Sequence, residues 1–207
     1  MAEIIYFERL IPPLSNSRVY KRLGYRDKIT KIGPKQKKEV NGYIKEALRF
    51  IRIKAAVRFL AVKKIVPPRV LLYENASFIS NNLADLLEGC CEVLLMGATA
   101  GNKIIEAIQK DSSGENIMRA VVFDAVASEI TDSCLDWLMS YFNKKICRKN
   151  KTLTRRRFSA GYGDFLLKNQ KEIFKLLELK KIGVEINKCY ILNPEKSVTA
   201  VAGVKSK

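Results

Sequence analysis

The chain has 207 residues, 47% of them hydrophobic and 29% charged, with 11 glycines and 6 prolines. That composition supports a core of ordinary size and excludes collagen-like and disordered chains. The formal net charge is +17 and there is no histidine. The missing histidine removes the commonest general base, the commonest metal ligand and every Ser-His or Cys-His nucleophile pair.

The charge is unevenly spread: residues 1–70 and 141–207 are strongly basic, whereas 71–140 is acidic. Clustered cations attract phosphate or acidic partners, so a basic nucleic-acid-binding module is one alternative reading. No nucleic-acid motif accompanies the charge, and the aromatics are not interleaved with the basic runs, so nucleic acid is not the expected partner. Five cysteines without a C-x-x-C spacing indicate neither a zinc site nor a disulfide framework, and free thiols in a reducing cytosol are expected. No apolar run reaches the ~20 residues needed to cross a bilayer, and MAEIIYFERL lacks a basic leader. A cytoplasmic protein without a membrane partner is the expectation.

In chain order, EIIYFERLI reads as a strand ending at Pro12 and Pro13 and leading into a loop. From Pro34, the spacing of Val40, Ile44, Leu48, Ile51 and Ala55 predicts an amphipathic helix with proline in its first turn. Residues 56–79, broken by Pro67 and Pro68, predict two strands across a turn. Ser80 before NNLADLLEG predicts an N-capped short helix closed by Gly89. CEVLLMGAT is an unbroken apolar run of strand length, as in a strand buried on both faces, and AGNKIIEAIQK follows as a helix.

Residues 114–147 hold the longest periodic stretch. Ile117, Val121 and Ala125 share one line, and Val122, Val126, Ile130 and Trp137 the next, which predicts a long helix at the centre of the fold. Asp124, Ser128 and Asp132 form a polar stripe on it. After a basic loop, LKNQKEIFKLLELKK predicts a helix ending near Gly183, and the tail alternates like strands around a turn at Asn193 and Pro194. Strands and helices mix without a βαβ repeat, so the fold class is α+β: a single domain, 1–207, with a mixed or antiparallel sheet, a long central helix and flanking helices.

The chemistry concentrates in RRRFSAGYGD, residues 155–164. Arginine offers a planar fork to a carboxylate or phosphate, and glycines let a ligand approach the backbone. Alone, the string also suits an ordinary turn. Three segments in order extend it: Arg157 with its spacing to Gly161 and Tyr162; the closing LLELKKIGVEINKCYILNPEKSVTAVAG; and CEVLLMGATAGNKIIEAI followed by the FDAVASEI helix. On these residues the chain resembles the reactivation domain of cobalamin-dependent methionine synthase, in its stand-alone form.

The resemblance implies that fold and the binding of S-adenosylmethionine. It assigns Arg157 to the methionyl carboxylate and Tyr162 to the neighbourhood of the sulfonium and nucleoside, with Gly161 and Gly163 shaping the loop at the ligand and Ala160 as a further ligand-binding candidate. An acid of the long helix completes the site: Asp124, with Glu129 as second choice. Asp124 also fits a merely solvated stripe, Tyr162 a packing aromatic, Arg155 and Arg156 solvent or a protein partner, and Ser197 a structural turn. The family's acidic segment near the start has no clear counterpart here, and its terminal S-V-S-G appears as SVTAVAG.

The resemblance further implies an accessory component, not an independent catalyst, that supports reductive methylation of cobalamin. The chain has no histidine and no D-x-H-x-x-G motif, so cobalamin is expected only in trans, on a methionine synthase lacking its own activation domain. A flavodoxin or another electron donor is the further expected partner, and no metal site is expected in the chain itself. A ligand-binding relic of the activation domain, without reactivation activity, is the remaining alternative.

Overall fold

In a computed structural model, residues 3–26, 28–114 and 116–207 are described. The chain builds β1 (Ile5–Leu10), α1 (Asn16–Arg22), α2 (Pro34–Phe50), β2 (Ile53–Val66), β3 (Arg69–Leu72), β4 (Ser77–Ile79), α3 (Asn81–Leu86), β5 (Glu92–Thr99), α4 (Asn102–Ser112) and α5 (Ile117–Cys147). It continues through β6 (Lys151–Leu153), α6 (Gln170–Leu176), β7 (Glu185–Ile186), β8 (Leu192–Asn193) and β9 (Ser197–Ser206). The fold is α+β.

Six strands pair in the order β4-β3-β2-β5-β9-β6, and β1 adds to β2. Every pairing is antiparallel. The first half of β2 lies between β1 and β5. After a register shift between Val62 and Lys64, its second half runs alongside β3.

Both faces of the central strands are covered, which is why β5 is apolar without alternation. Leu94, Met96 and Ala98 join Ala55, Val57, Ala200 and Ala202 in a core packed under α2, α4 and α5. Val93 and Leu95 face the other way, toward Leu83, Phe165, Phe174, Leu179 and Ile182. Gly97 on that side leaves room for Leu179, whose Cδ2 would lie 2.6 Å from an added Cβ.

The long helix α5 spans 31 residues, roughly 46 Å at 1.5 Å per residue. Its middle is buried against the sheet through Val126, Ile130, Cys134 and Leu138. In its first turns Ala120, Val122 and Phe123 take the buried face, so Ile117 and Val121 look outward, 63% and 52% exposed, and do not lie on the buried line the spacing suggested.

Other departures have local causes. Helix α2 stops at Phe50 because Ile51 is already extended, and Ala55 sits in β2 opposite Ala98. A third strand, β4, follows the two expected around Pro67 and Pro68. Helix α1 occupies part of the segment read as loop, and the basic loop contains β6, which is held by β9.

The helix expected from Leu167 is broken. A 3-10 turn (Leu167–Asn169) precedes α6, Glu178 takes a left-handed conformation with φ of 47°, and a second 3-10 turn covers Leu179–Ile182. The break turns Leu176, Leu177, Leu179 and Ile182 all into the core, more than one helical stripe can bury. In the tail, β8 and β9 do flank the bend that begins at Asn193 and Pro194, and a further tight turn joins β7 to β8, where the Asn187 side chain accepts from the Cys189 and Ile191 amides.

All five cysteines are unpaired thiols. Among the described residues, no helix is long and apolar enough to cross a membrane.

Candidate functional site

The loop after β6 is pinned at both ends. Phe158 exchanges two backbone hydrogen bonds with Val201 of β9, each 2.8 Å, which fixes the arginine run beside the sheet. The Phe158 ring stacks on Phe165, which meets Phe78 edge-on, so this side of the loop belongs to the second core. Farther on, the Gly161 amide donates to the Phe165 carbonyl at 2.7 Å. Gly161 and Gly163 have φ of +95° and +53°, conformations that disfavour side chains. A Cβ on Gly163 would also stand 2.5 Å from Asn82 Nδ2 at the start of α3.

Asp164 completes the anchor. Its carboxylate accepts from the Ser80 hydroxyl and from the Asn81 and Asn82 amides, while Ser80 caps α3 by accepting from the Leu83 amide. The hydrogen bond from Ser80 leads the causes that hold the Asp164 carboxyl below its ordinary pKa; desolvation opposes it, and the Asn81 and Asn82 amides add to the lowering.

Arg157 points away from the aromatic side, onto the middle of α5. Its guanidinium pairs with the Asp136 carboxylate and reaches the Asp132 carbonyl at 3.5 Å. Between loop and helix runs an open groove of about 560 Å³, within the range of small-molecule sites. Leu135, Met139 and Val198 supply its apolar surface, Asp132 and Asp136 its acids and Arg155–Arg157 its cations. Tyr162 stands at the rim, 69% exposed. Arg155 and Arg156 are exposed and, among the described residues, in no ion pair.

The structure thus brings Arg157, Tyr162 and the glycine-bearing loop to one groove. Ala160 is buried behind it. Asp124 lies elsewhere: two helical turns toward the start of α5, about 12 Å from Asp132 along the axis, it pairs with Lys196 at 2.6 Å in a separate recess that includes Arg22 and Ser128. Glu129 is also outside the groove. Its side chain is only 5% exposed, and it pairs with Arg22 at 2.8 Å and Arg18 at 3.6 Å, tying α1 to α5.

The acids that line the groove are Asp136, which was missed and whose carboxylate pairs with Arg157, and Asp132, noted in the sequence only as part of a stripe, whose carbonyl Arg157 reaches while its carboxylate pairs with Arg22. One more step of four along Asp124, Ser128 and Asp132 reaches Asp136. Ser197 donates to Thr99 across the β5–β9 pair at 2.8 Å, a contact within the sheet.

No protein-family profile matches the chain, and no curated protein sequence matches it. Among solved structures it is similar to the crystal structure of the MetH reactivation domain bound to AdoHcy, with a TM-score of 0.74 over 97% of this chain and 78% of that one. The two are 11% identical, so what they share is the fold. Long helix, curled antiparallel sheet and chain order correspond to the architecture that the sequence resemblance implied.

In electrostatic terms the groove carries both signs side by side. Arg18, on the far side of Asp136, has its pKa raised, first by its hydrogen bond to Asp136 and then by the nearby charge of Glu129. Arg22 is raised as well: burial pulls it down, but hydrogen bonds to Glu129 and Asp132 outweigh that. A ligand that brings its own carboxylate and its own cation can exchange partners here without leaving a charge uncompensated.

Proposed function

We propose that the groove binds S-adenosylmethionine and that the protein offers the methyl group to a cobalamin carried by a separate methionine synthase chain. The observation that carries this reading is the placement of Arg157 against Asp132 and Asp136 beneath the Tyr162 rim. The ligand's amino-acid end has one carboxylate and one ammonium, matching the guanidinium and the α5 carboxylates. A sulfonium is a diffuse cation suited to an aromatic face, which Tyr162 provides. The fold shared with a domain that was crystallised with AdoHcy supports the same ligand class.

When bound, S-adenosylmethionine supplies a methyl group already activated as a sulfonium. The residues of this chain then bind and orient; methyl transfer needs no proton transfer, and the groove offers no histidine to perform one. The same absence means that no histidine of this sequence can ligate cobalt; in this reading the partner carries the corrinoid. A flavodoxin or similar donor supplies the electron. The basic regions of the chain steer the partner, with a salt-sensitive association rate.

Two experiments test the two halves. Calorimetry with S-adenosylmethionine and S-adenosylhomocysteine should show binding to the wild type, weakened by roughly 1.5 to 3 kcal/mol in Arg157→Ala through loss of a charge-assisted pair. No binding of either compound overturns the reading. Adding the protein, methyl donor and a flavodoxin system to oxidised methionine synthase that lacks an activation domain should restore methylcobalamin absorbance. Binding without that recovery retires the role in trans and leaves a ligand-binding protein.

A further inference from the structure

Asp136 is held from two sides. One carboxylate oxygen pairs with Arg157 of the loop, and the other accepts from Arg18 Nη1 of α1 at 3.2 Å. Asp136 also forms the partition between two grooves: the one described above, and a second of about 460 Å³ on the α1 side, where Pro13, Leu14 and Trp137 lie. Around it, Glu129, Asp132 and Asp136 lie on neighbouring turns of α5. Like charges so placed repel, and Arg18, Arg22 and Arg157 answer them. The cations come from two segments far apart in sequence, and only Arg157 has its place in the ligand groove.

We propose that Arg18 is a positioning residue for that groove: by sharing Asp136 it sets how firmly Asp136 holds Arg157, and so how readily Arg157 turns to a ligand carboxylate. A carboxylate has one negative charge to divide. With Arg18 in place, Arg157 competes for it, and when a ligand carboxylate takes Arg157 over, Asp136 keeps a partner. Without Arg18, the attraction holding Arg157 back is undivided, so a ligand carboxylate has a stronger ion pair to displace. Arg18 therefore favours ligand binding without touching the ligand. This rests on the proposed ligand class.

The anchoring of α1 does not depend on this arginine alone. Val19 is fully buried and the Tyr20 hydroxyl hydrogen-bonds Asn41 at 3.0 Å, so Arg18→Ala is expected to leave α1 docked.

The test is a double-mutant cycle on the whole chain, with S-adenosylhomocysteine binding read by calorimetry in wild type, Arg18→Ala, Asp136→Asn and the double variant. The expected result is about threefold weaker binding in Arg18→Ala, in line with exposed ion pairs, and no effect of the same change once Asp136 is Asn. Arg18→Lys should recover part of the loss. Equal weakening in both backgrounds makes the effect structural and overturns the proposal, as does no weakening in the wild type. If the wild type binds no S-adenosylhomocysteine, the proposed function fails, and this proposal is decided without ligand by urea unfolding. Arg18→Ala and Arg157→Ala together should then cost more than the sum of the two, and the excess should vanish in Asp136→Asn; simple additivity overturns it.

Discussion

Ser80 and Asp164, 84 residues apart, close the same helix end: the serine hydroxyl donates to the aspartate while accepting from the Leu83 amide, and the aspartate takes the next two amides. The motif loop is thereby fastened to α3. Because Asp164 has a lowered pKa in the folded protein, its contribution to stability is fully present above the unfolded carboxylate value, near about pH 4. It disappears as pH falls through the lowered value. Urea unfolding should therefore show Asp164→Asn less stable than wild type at neutral pH, with the gap closing in acid. Ser80→Ala should cost about 1 kcal/mol as a lost N-cap.

Gly203 makes the crossing of β9 beneath the arginine loop possible. An added Cβ would collide with Cys90 Sγ and meet Thr154 Cγ2 at 2.9 Å and Leu87 Cδ2 at 3.0 Å. Gly203→Ala should destabilise by about 1 to 3 kcal/mol as overpacking. Since Thr154 begins the run leading to Arg157 and its hydroxyl accepts from the Gly203 amide, S-adenosylhomocysteine affinity should fall in the same variant, measurable by calorimetry below its unfolding temperature.

The two acids favoured from the sequence make a contrast in stability. Glu129 is buried against Arg22 and Arg18, whereas Asp124 is 52% exposed beside Lys196. Chemical unfolding should find Glu129→Ala costing about 1 to 3 kcal/mol and Asp124→Ala no more than about 1 kcal/mol.

Where the sequence was legible, one strong local rule acted alone. The unbroken apolar run of β5, the serine before α3 and the long period of α5 each matched the structure. Helix α1 was missed because it has seven residues, one buried side chain and no side-chain cap. Strand β6 has three residues in a basic loop, and only its pairing with β9 makes it a strand. At the candidate groove, the motif kept Arg157, Gly161 and Tyr162 in one loop, since their spacing is local. The acid opposite could not be chosen from a helical stripe, because the stripe does not say at which turn the loop crosses; it crosses at Asp132 and Asp136.

Thiol chemistry gives a separate check on the core. Cys134 is buried on α5, and desolvation pushes its pKa up to about 12; burial also raises Cys90. Cys91, Cys147 and Cys189 are exposed. A chromogenic disulfide reagent at pH 8 should titrate those three in the native protein and reach Cys134 only on unfolding.

The pairing of β5 with β9 sets Glu92 against Val204 and Thr99 against Ser197. Joining them closes a loop on the order of 100 residues, among the slowest steps a domain of this size takes. All of α5 and the whole arginine loop lie inside that closure. The groove therefore cannot mature ahead of the sheet, and in a refolding experiment ligand competence should emerge together with the last global phase, leaving no earlier species able to capture the ligand.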